Sequence, residues 1–375
     1  MAGIYIHYPF CRHKCAYCNF FSVASAKLNI GFNAALKEEI KFRSDYLGIE
    51  AVESLYFGGG TPSLMPPSDI NDLIQWLEKH FTIPEYAEIT LEVNPEDISI
   101  NFLKELSKTK INRISVGVQS FDDNELAYLN RKHSAEKSVG AIMRIQDAGY
   151  ENISADLIYG LPLSSGESLR NNLYRLIDMK IPHISAYALT VEEKTPLANW
   201  IKSGKVLPPP EERIVEHFRI LIDLLDEHDY IHYEISNFAR KGFYSKHNSL
   251  YWLGGHYAGF GPSAHSYNGY SRQWNVKSVS AYINSKGNPA NLTEEQEFLS
   301  HNEKYNEYVM TSLRTVWGCD TEHIRNVFGK EFERYFLERI CEYVNNKLLV
   351  ENKGIFALTK EGKLYADGIA SSLFK

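Results

Sequence analysis

A chain of 375 residues, 44% hydrophobic and 23% charged, holds enough apolar material for two or three packed domains. Forty basic against 47 acidic side chains leave a net charge of −7 with no long basic run, which argues against a nucleic-acid partner. Five cysteines, an odd number, exclude a disulfide framework, and no apolar stretch approaches the roughly 20 residues that span a bilayer. The chain enters a strand-like run almost at once, so no signal or transit peptide is expected, and unpaired thiols point to the cytoplasm.

The first predicted strand, Gly3–Tyr8, leads into a loop carrying Cys11, Cys15 and Cys18. Thiolates at C-x3-C-x2-C spacing converge on one centre, and soft sulfur ligands select zinc or an iron–sulfur cluster. The other cysteines, Cys319 and Cys341, lie far along the chain. Three local thiolates suit a four-iron cluster with one iron left open, whereas zinc completed by His7 or His13 is the alternative.

Further strands are predicted over Ser54–Phe57, Glu88–Val93, Arg113–Val118, Ile153–Ile158 and His183–Leu189. Helices are expected near Phe32–Arg43, Asp69–His80, Ile100–Ser107, Ala135–Ala148 and Ser168–Asp178. Another, Glu211–Glu227, follows the stop at Pro208-Pro209-Pro210. Repeated strand–helix units predict a parallel α/β fold, with a doubly wound sheet as the alternative closure. Polar groups cluster at successive strand ends: the cysteines, Gly58-Gly59-Gly60-Thr61-Pro62, Glu92 with Asn94, Gln119 and Asp156. One shared face of that kind favours a partial (β/α)6 barrel over residues 1–235. A Gly- and aromatic-rich connection of low regularity is expected over 236–290. A smaller, mostly helical, winged-helix-like domain is expected over 291–375, with helices Tyr305–Val316, His323–Val327 and Glu331–Asn345, a hairpin turning at Asn352–Gly354 and a last helix Lys360–Leu373.

Glycines after a strand let the backbone approach a ligand closely, although a tight turn also explains a triple glycine. Glu92 at a strand end is suited to accept hydrogen bonds from ribose hydroxyls or an ammonium group, while Glu96 and Asp97 read better as helix-capping acids. Arg131 is suited to pair with a carboxylate, or else stands solvated at the surface. In Lys246-His247-Asn248-Ser249-Leu250-Tyr251-Trp252, a histidine among aromatics is suited to ligate heme iron; a linker with a satisfied histidine is the other reading.

Four segments together carry a resemblance: Tyr5-Ile6-His7-Tyr8-Pro9-Phe10-Cys11, Phe57-Gly58-Gly59-Gly60-Thr61-Pro62, Gly117-Val118-Gln119-Ser120-Phe121 and Asp156-Leu157-Ile158-Tyr159-Gly160-Leu161-Pro162. Along essentially the whole chain they resemble the radical S-adenosylmethionine (SAM) family, within it the oxygen-independent coproporphyrinogen III oxidase group. The resemblance implies a [4Fe-4S] cluster on Cys11, Cys15 and Cys18, with its open iron on the amino and carboxylate groups of SAM. It implies SAM contacts from Tyr5, Tyr17, Gly59, Gly60, Thr61, Glu92, Gln119, Arg131, Asp156 and Ala188. Phe20 stands where the oxidases carry a further cysteine, and ten residues precede the cluster where they carry a long extension. These departures and the His247-Asn248-Ser249-Leu250-Tyr251-Trp252 stretch resemble the HemW branch, whose members bind heme and pass it to acceptor proteins. That implies heme as a third cofactor, contacted by His247, and an acceptor protein through which any membrane contact is made. Radical decarboxylation of porphyrin propionates is the enzymatic alternative, and a structural zinc module the third.

Overall fold

The computed structural model describes residues 2–24 and 31–375. Six strands, β1 (Ala2–Tyr8), β2 (Val52–Gly59), β3 (Glu88–Val93), β4 (Arg113–Gln119), β5 (Ile153–Tyr159) and β6 (His183–Ala188), lie side by side in chain order. All five neighbouring pairs are parallel, with Ile4 opposite Leu55 and Asp156 opposite Ser185. Parallel strands need covered crossovers. These are α1 (Phe32–Phe42), α2 (Pro67–Glu78), α3 (Ile100–Leu106), α4 (Asp123–Tyr128), α5 (Ala135–Asp147) and α6 (Gly166–Asp178), while α7 (Pro196–Lys202) and α8 (Glu211–Glu227) follow β6. Side-chain oxygens of Ser99, Asp122, Ser134, Ser165 and Thr195 accept from free backbone N–H groups at the starts of α3 to α7. The α5 helix buries Ser138, Ala141, Ile142 and Ile145, the i, i+3, i+4, i+7 stripe that seats a helix on a sheet. The α/β architecture expected from the strand–helix repeat is therefore present, as an open sheet whose six parallel strands follow chain order, the order of a partial (β/α)6 barrel and not the reversing order of a doubly wound sheet.

The stretch expected to be of low regularity is in fact well ordered. After β7 (Ile231–Glu234) come β8 (Asn237–Ala239), α9 (Lys246–Trp252), β9 (His256–Phe260), β10 (His265–Tyr267), β11 (Ser271–Asn275), α10 (Val279–Asn284), α11 (Pro289–Leu292) and β12 (Thr293–Phe298). The β9 strand pairs in parallel with β1, and β10, β11 and β12 extend that side antiparallel; β8 and β7 flank β6. The full order is β12-β11-β10-β9-β1-β2-β3-β4-β5-β6-β8-β7. Strands of three to five residues broken by glycine and proline carry too few alternations to register as a period. Glu39 on α1 pins this segment: its buried carboxylate accepts from Arg43 (2.8 Å), Asn275 (2.7 Å), the Gly261 N–H (2.9 Å) and Tyr282 (2.6 Å).

The last part holds α12 (His301–Leu313), β13 (Cys319–Asp320), α13 (Thr321–Val327), α14 (Lys330–Asn345), β14 (Leu349–Asn352), β15 (Ile355–Leu358) and α15 (Ala366–Ser372). Its antiparallel sheet, β13-β15-β14, covers an apolar core of its own around Tyr305, Phe336, Ile340 and Phe356. The helix expected over 360–373 is instead a 3-10 turn at Gly362–Tyr365 followed by α15. Gly362 is packed so closely on the Leu348 carbonyl that a side chain has no room, which sets the turn. Among the described residues no helix is long and apolar enough to cross a membrane.

Candidate cofactor-binding site

A cavity of about 430 Å³ opens at the carboxyl ends of β1 to β6. The cysteine loop forms one wall. Val23 N–H donates to the Pro9 carbonyl (2.8 Å) and Cys11 N–H to the Val23 carbonyl (3.0 Å), closing the loop at its base. Its middle is held by Ala16, whose N–H donates to Leu129 O (3.0 Å) and whose carbonyl accepts from Leu197 N–H (2.9 Å). Cys11, Cys15 and Cys18 are all half-buried and all line the cavity. Among the described residues no three His, Cys, Asp or Glu side chains are gathered tightly enough for one metal ion. The donor set is thus three spaced thiols.

Burial pushes the Cys18 thiol up to about 11 and raises Cys11 despite hydrogen bonds from Thr61 and Ser22. Such thiols ionise readily only against added positive charge, which bound iron supplies. Arg131 already contributes one cation. It is half-buried and engaged by the protein: Nη1 donates to Cys15 Sγ (3.3 Å), and Nη2 to Asn94 Oδ1 (2.7 Å) and Gly117 O (2.8 Å). Its buried Nε has no partner among the described residues.

The glycine turn forms the adjoining wall. Gly59 has φ +108°, and a Cβ there would meet the His7 ring at 2.6 Å. A Cβ on Gly60 would lie 2.8 Å from the Phe10 carbonyl oxygen, and Gly60 N–H donates to Tyr8 O at 2.7 Å. The turn therefore backs directly onto the chain entering the cysteine loop and presents bare backbone to the cavity. Thr61 accepts from Asn94 Nδ2 at 3.2 Å.

Glu92 accepts from Tyr56 OH (2.8 Å) and Gly59 N–H (3.2 Å). Burial, with some help from Asp156, lifts its carboxyl to about 7. Burial likewise lifts Asp156 to about 6, although Ser185 and Ser115 hydrogen-bond to it. Two reluctant carboxylates in one cavity favour a cationic guest, such as a sulfonium with an ammonium. Gln119 sits at a break in the β4–β5 register with φ +69°, and that turn of the backbone carries it into the cavity wall. Tyr17 and Ala188 also line the cavity.

Two residues expected to contact cofactors do not line the cavity in this structure. Tyr5 is not among the lining residues; its ring stacks on Tyr56 (6.0 Å between centroids) and its hydroxyl meets His7 Nδ1 at 3.2 Å. His247 is buried, with Nδ1 bonded to Ser54 Oγ (2.9 Å), Nε2 to Tyr251 OH (2.8 Å) and its ring on Tyr56 (5.0 Å). Burial lowers it to about 3. Neither nitrogen is free in this structure, where the histidine expected to contact heme is packed with both ring nitrogens bonded; its neighbours Ser245 and Asn248 are the ones that reach the cavity. Tyr56, Ser115, Ser154, Ser185 and Tyr187 also line the cavity and were missed. They carry a signal: Ser115 and Gly117, Ser154 and Asp156, and Ser185 and Tyr187 alternate along their strands and so share the inner face.

A Radical SAM superfamily model matches residues 5–172, and a HemN C-terminal domain model matches residues 299–365. The chain is 33% identical to the heme chaperone HemW of Lactococcus lactis over 96% of its own length and 93% of the relative's. It is 32% identical to the heme chaperone HemW of Bacillus subtilis over 98% of both. The solved structure of coproporphyrinogen III oxidase (HemN) from Escherichia coli, a radical SAM enzyme, shares the fold with a TM-score of 0.86 at 23% identity, covering all of this chain and 90% of that one. With identity above 30% along nearly its full length, the chain belongs to the HemW family of the radical SAM superfamily.

Proposed function

We propose that this protein is a heme chaperone: it carries a SAM-coordinated [4Fe-4S] cluster, binds heme and passes it to an acceptor protein. The observation that carries the reading is one cavity lined by Cys11, Cys15, Cys18, the Gly59–Gly60 turn and Glu92, in a chain of the HemW family. Cys11, Cys15 and Cys18 hold the cluster, which when bound supplies an electron and an open iron site. Gly59, Gly60 and Thr61 offer backbone and hydroxyl partners to SAM, and Glu92 and Asp156 balance its positive charge. Gln119, Tyr17 and Ala188 shape its surroundings, Tyr5 supports the wall from behind, and Arg131 steadies the cysteine loop beside it. Residues 1–235, widened by the strands of 236–290, form the cofactor-binding barrel. Residues 291–375, with an apolar core of their own, form the module that meets the acceptor.

The test is transfer. Heme-loaded protein, prepared anaerobically with its cluster, is mixed with an apo-hemoprotein of the same cell, and heme is followed by absorbance after the two are separated. Movement of heme to the acceptor faster than from free solution supports the chaperone. Retention of heme, together with decarboxylation of coproporphyrinogen III by the same preparation, contradicts it.

A further inference from the structure

The cavity lining carries two exposed groups of different chemistry. In the first, Phe20 is 66% exposed and Tyr187 is 44% exposed, and both line the cavity. Asn19 Nδ2 donates to Glu192 Oε2 at 3.3 Å, tying the loop that carries Phe20 to the segment after β6. In the second, Lys14 and Lys132 are exposed and also line the cavity. Asn130 joins them: its Nδ2 donates to Lys14 O (3.1 Å), and its Oδ1 accepts from Lys132 Nζ (2.9 Å). Among the described residues, Lys132 meets only that neutral amide and Lys14 no carboxylate, whereas Arg12 is committed to Asp97 at 3.0 Å. His13, exposed and lining the same cavity, lies between Arg12 and Lys14.

Exposed aromatic faces take flat apolar rings, uncommitted ammonium groups take carboxylates, and an open imidazole ligates iron. One ligand class meets all three, an iron porphyrin bearing propionates. We propose that heme docks on these groups, with its face against Phe20 and Tyr187, its propionates toward Lys14 and Lys132, and His13 on the iron. The inference rests on the heme-binding reading above and assigns it a place. It also gives Phe20 a purpose. A large aromatic two residues beyond Cys18 stands uncovered in the cavity lining, where a bound porphyrin removes it from water.

The test is an anaerobic titration of the cluster-loaded full chain with ferric heme and, in parallel, with heme dimethyl ester, followed by absorbance. His13→Ala is expected to shift the Soret band. Phe20→Ala is expected to weaken both ligands. The Lys14→Gln/Lys132→Gln double variant is expected to weaken heme about tenfold, as the loss of two exposed ion pairs dictates, and to leave the ester unchanged. Iron and sulfide are measured in each variant, and if His13→Ala loses its cluster, Phe20→Ala and Lys132→Gln decide the matter. Variants that keep the wild-type spectrum and affinity overturn this docking place while leaving heme binding standing. A wild-type chain with no saturable heme site overturns both.

Discussion

Replacing Glu92 with glutamine should make the protein more stable and less able to bind SAM, and the two effects should carry opposite pH signatures. Burial lifts the Glu92 carboxyl from 4.5 to about 7. Between those values the folded protein holds a proton that the unfolded chain has released, so stability falls as pH rises through the window. The full shift corresponds to about 3 kcal/mol, lost above pH 7. Glutamine, like the protonated acid, has one oxygen to accept from Gly59 N–H and one donor that the Tyr56 hydroxyl can turn to accept, without a charge to desolvate. SAM-free Glu92→Gln should therefore exceed the wild type in urea stability at pH 8 and match it near pH 5. A cationic guest reverses the sense. If SAM binds the ionised carboxylate, its affinity for the wild type should drop about tenfold from pH 8 to pH 6, and Glu92→Gln should flatten that slope. Equilibrium dialysis at the two pH values reads the second effect. A variant less stable than wild type at pH 8, or a wild-type affinity independent of pH, refutes the reasoning.

Three further outcomes are expected. Glu39→Ala strands the buried Arg43 guanidinium and three other donors, and should cost about 3–5 kcal/mol in urea unfolding; a loss under about 1 kcal/mol would contradict the network. Gly60→Ala drives a Cβ onto the Phe10 carbonyl, which cannot swing aside, so iron content after reconstitution should fall along with about 1–3 kcal/mol of stability. His247→Ala removes a packed ring and its bonds to Ser54 and Tyr251, and should cost about 2–4 kcal/mol while leaving the heme spectrum unaltered.

The barrel was legible because its strands and helices announce themselves locally. The predicted β3, Glu88–Val93, and α8, Glu211–Glu227, coincide with the observed elements. Buried parallel strands read as dense apolar runs, and a helix seated on a sheet repeats its stripe every turn. The cysteine loop and the glycine turn were equally plain, since spacing and φ requirements are local properties. What the sequence hid depends on partners distant in the chain. His247 reads as an available ligand until Ser54, Tyr56 and Tyr251 close around it. The strand β9 owes its place to β1, more than 200 residues earlier, and its five residues carry no period that foretells the pairing. Arg131 looked as fit for the surface as for the site, because only the fold brings Asn94 and Cys15 to its guanidinium.

The central claim is that three thiols hold a four-iron cluster whose open iron takes SAM. The most direct measurement is iron and acid-labile sulfide in the anaerobically reconstituted protein and in Cys15→Ala, with electron paramagnetic resonance of the reduced wild type before and after SAM. The account predicts about four irons and four sulfides per chain, a signal that changes on adding SAM, and loss of the cluster in the variant. One zinc per chain, full iron retained by Cys15→Ala, or a signal indifferent to SAM would contradict it.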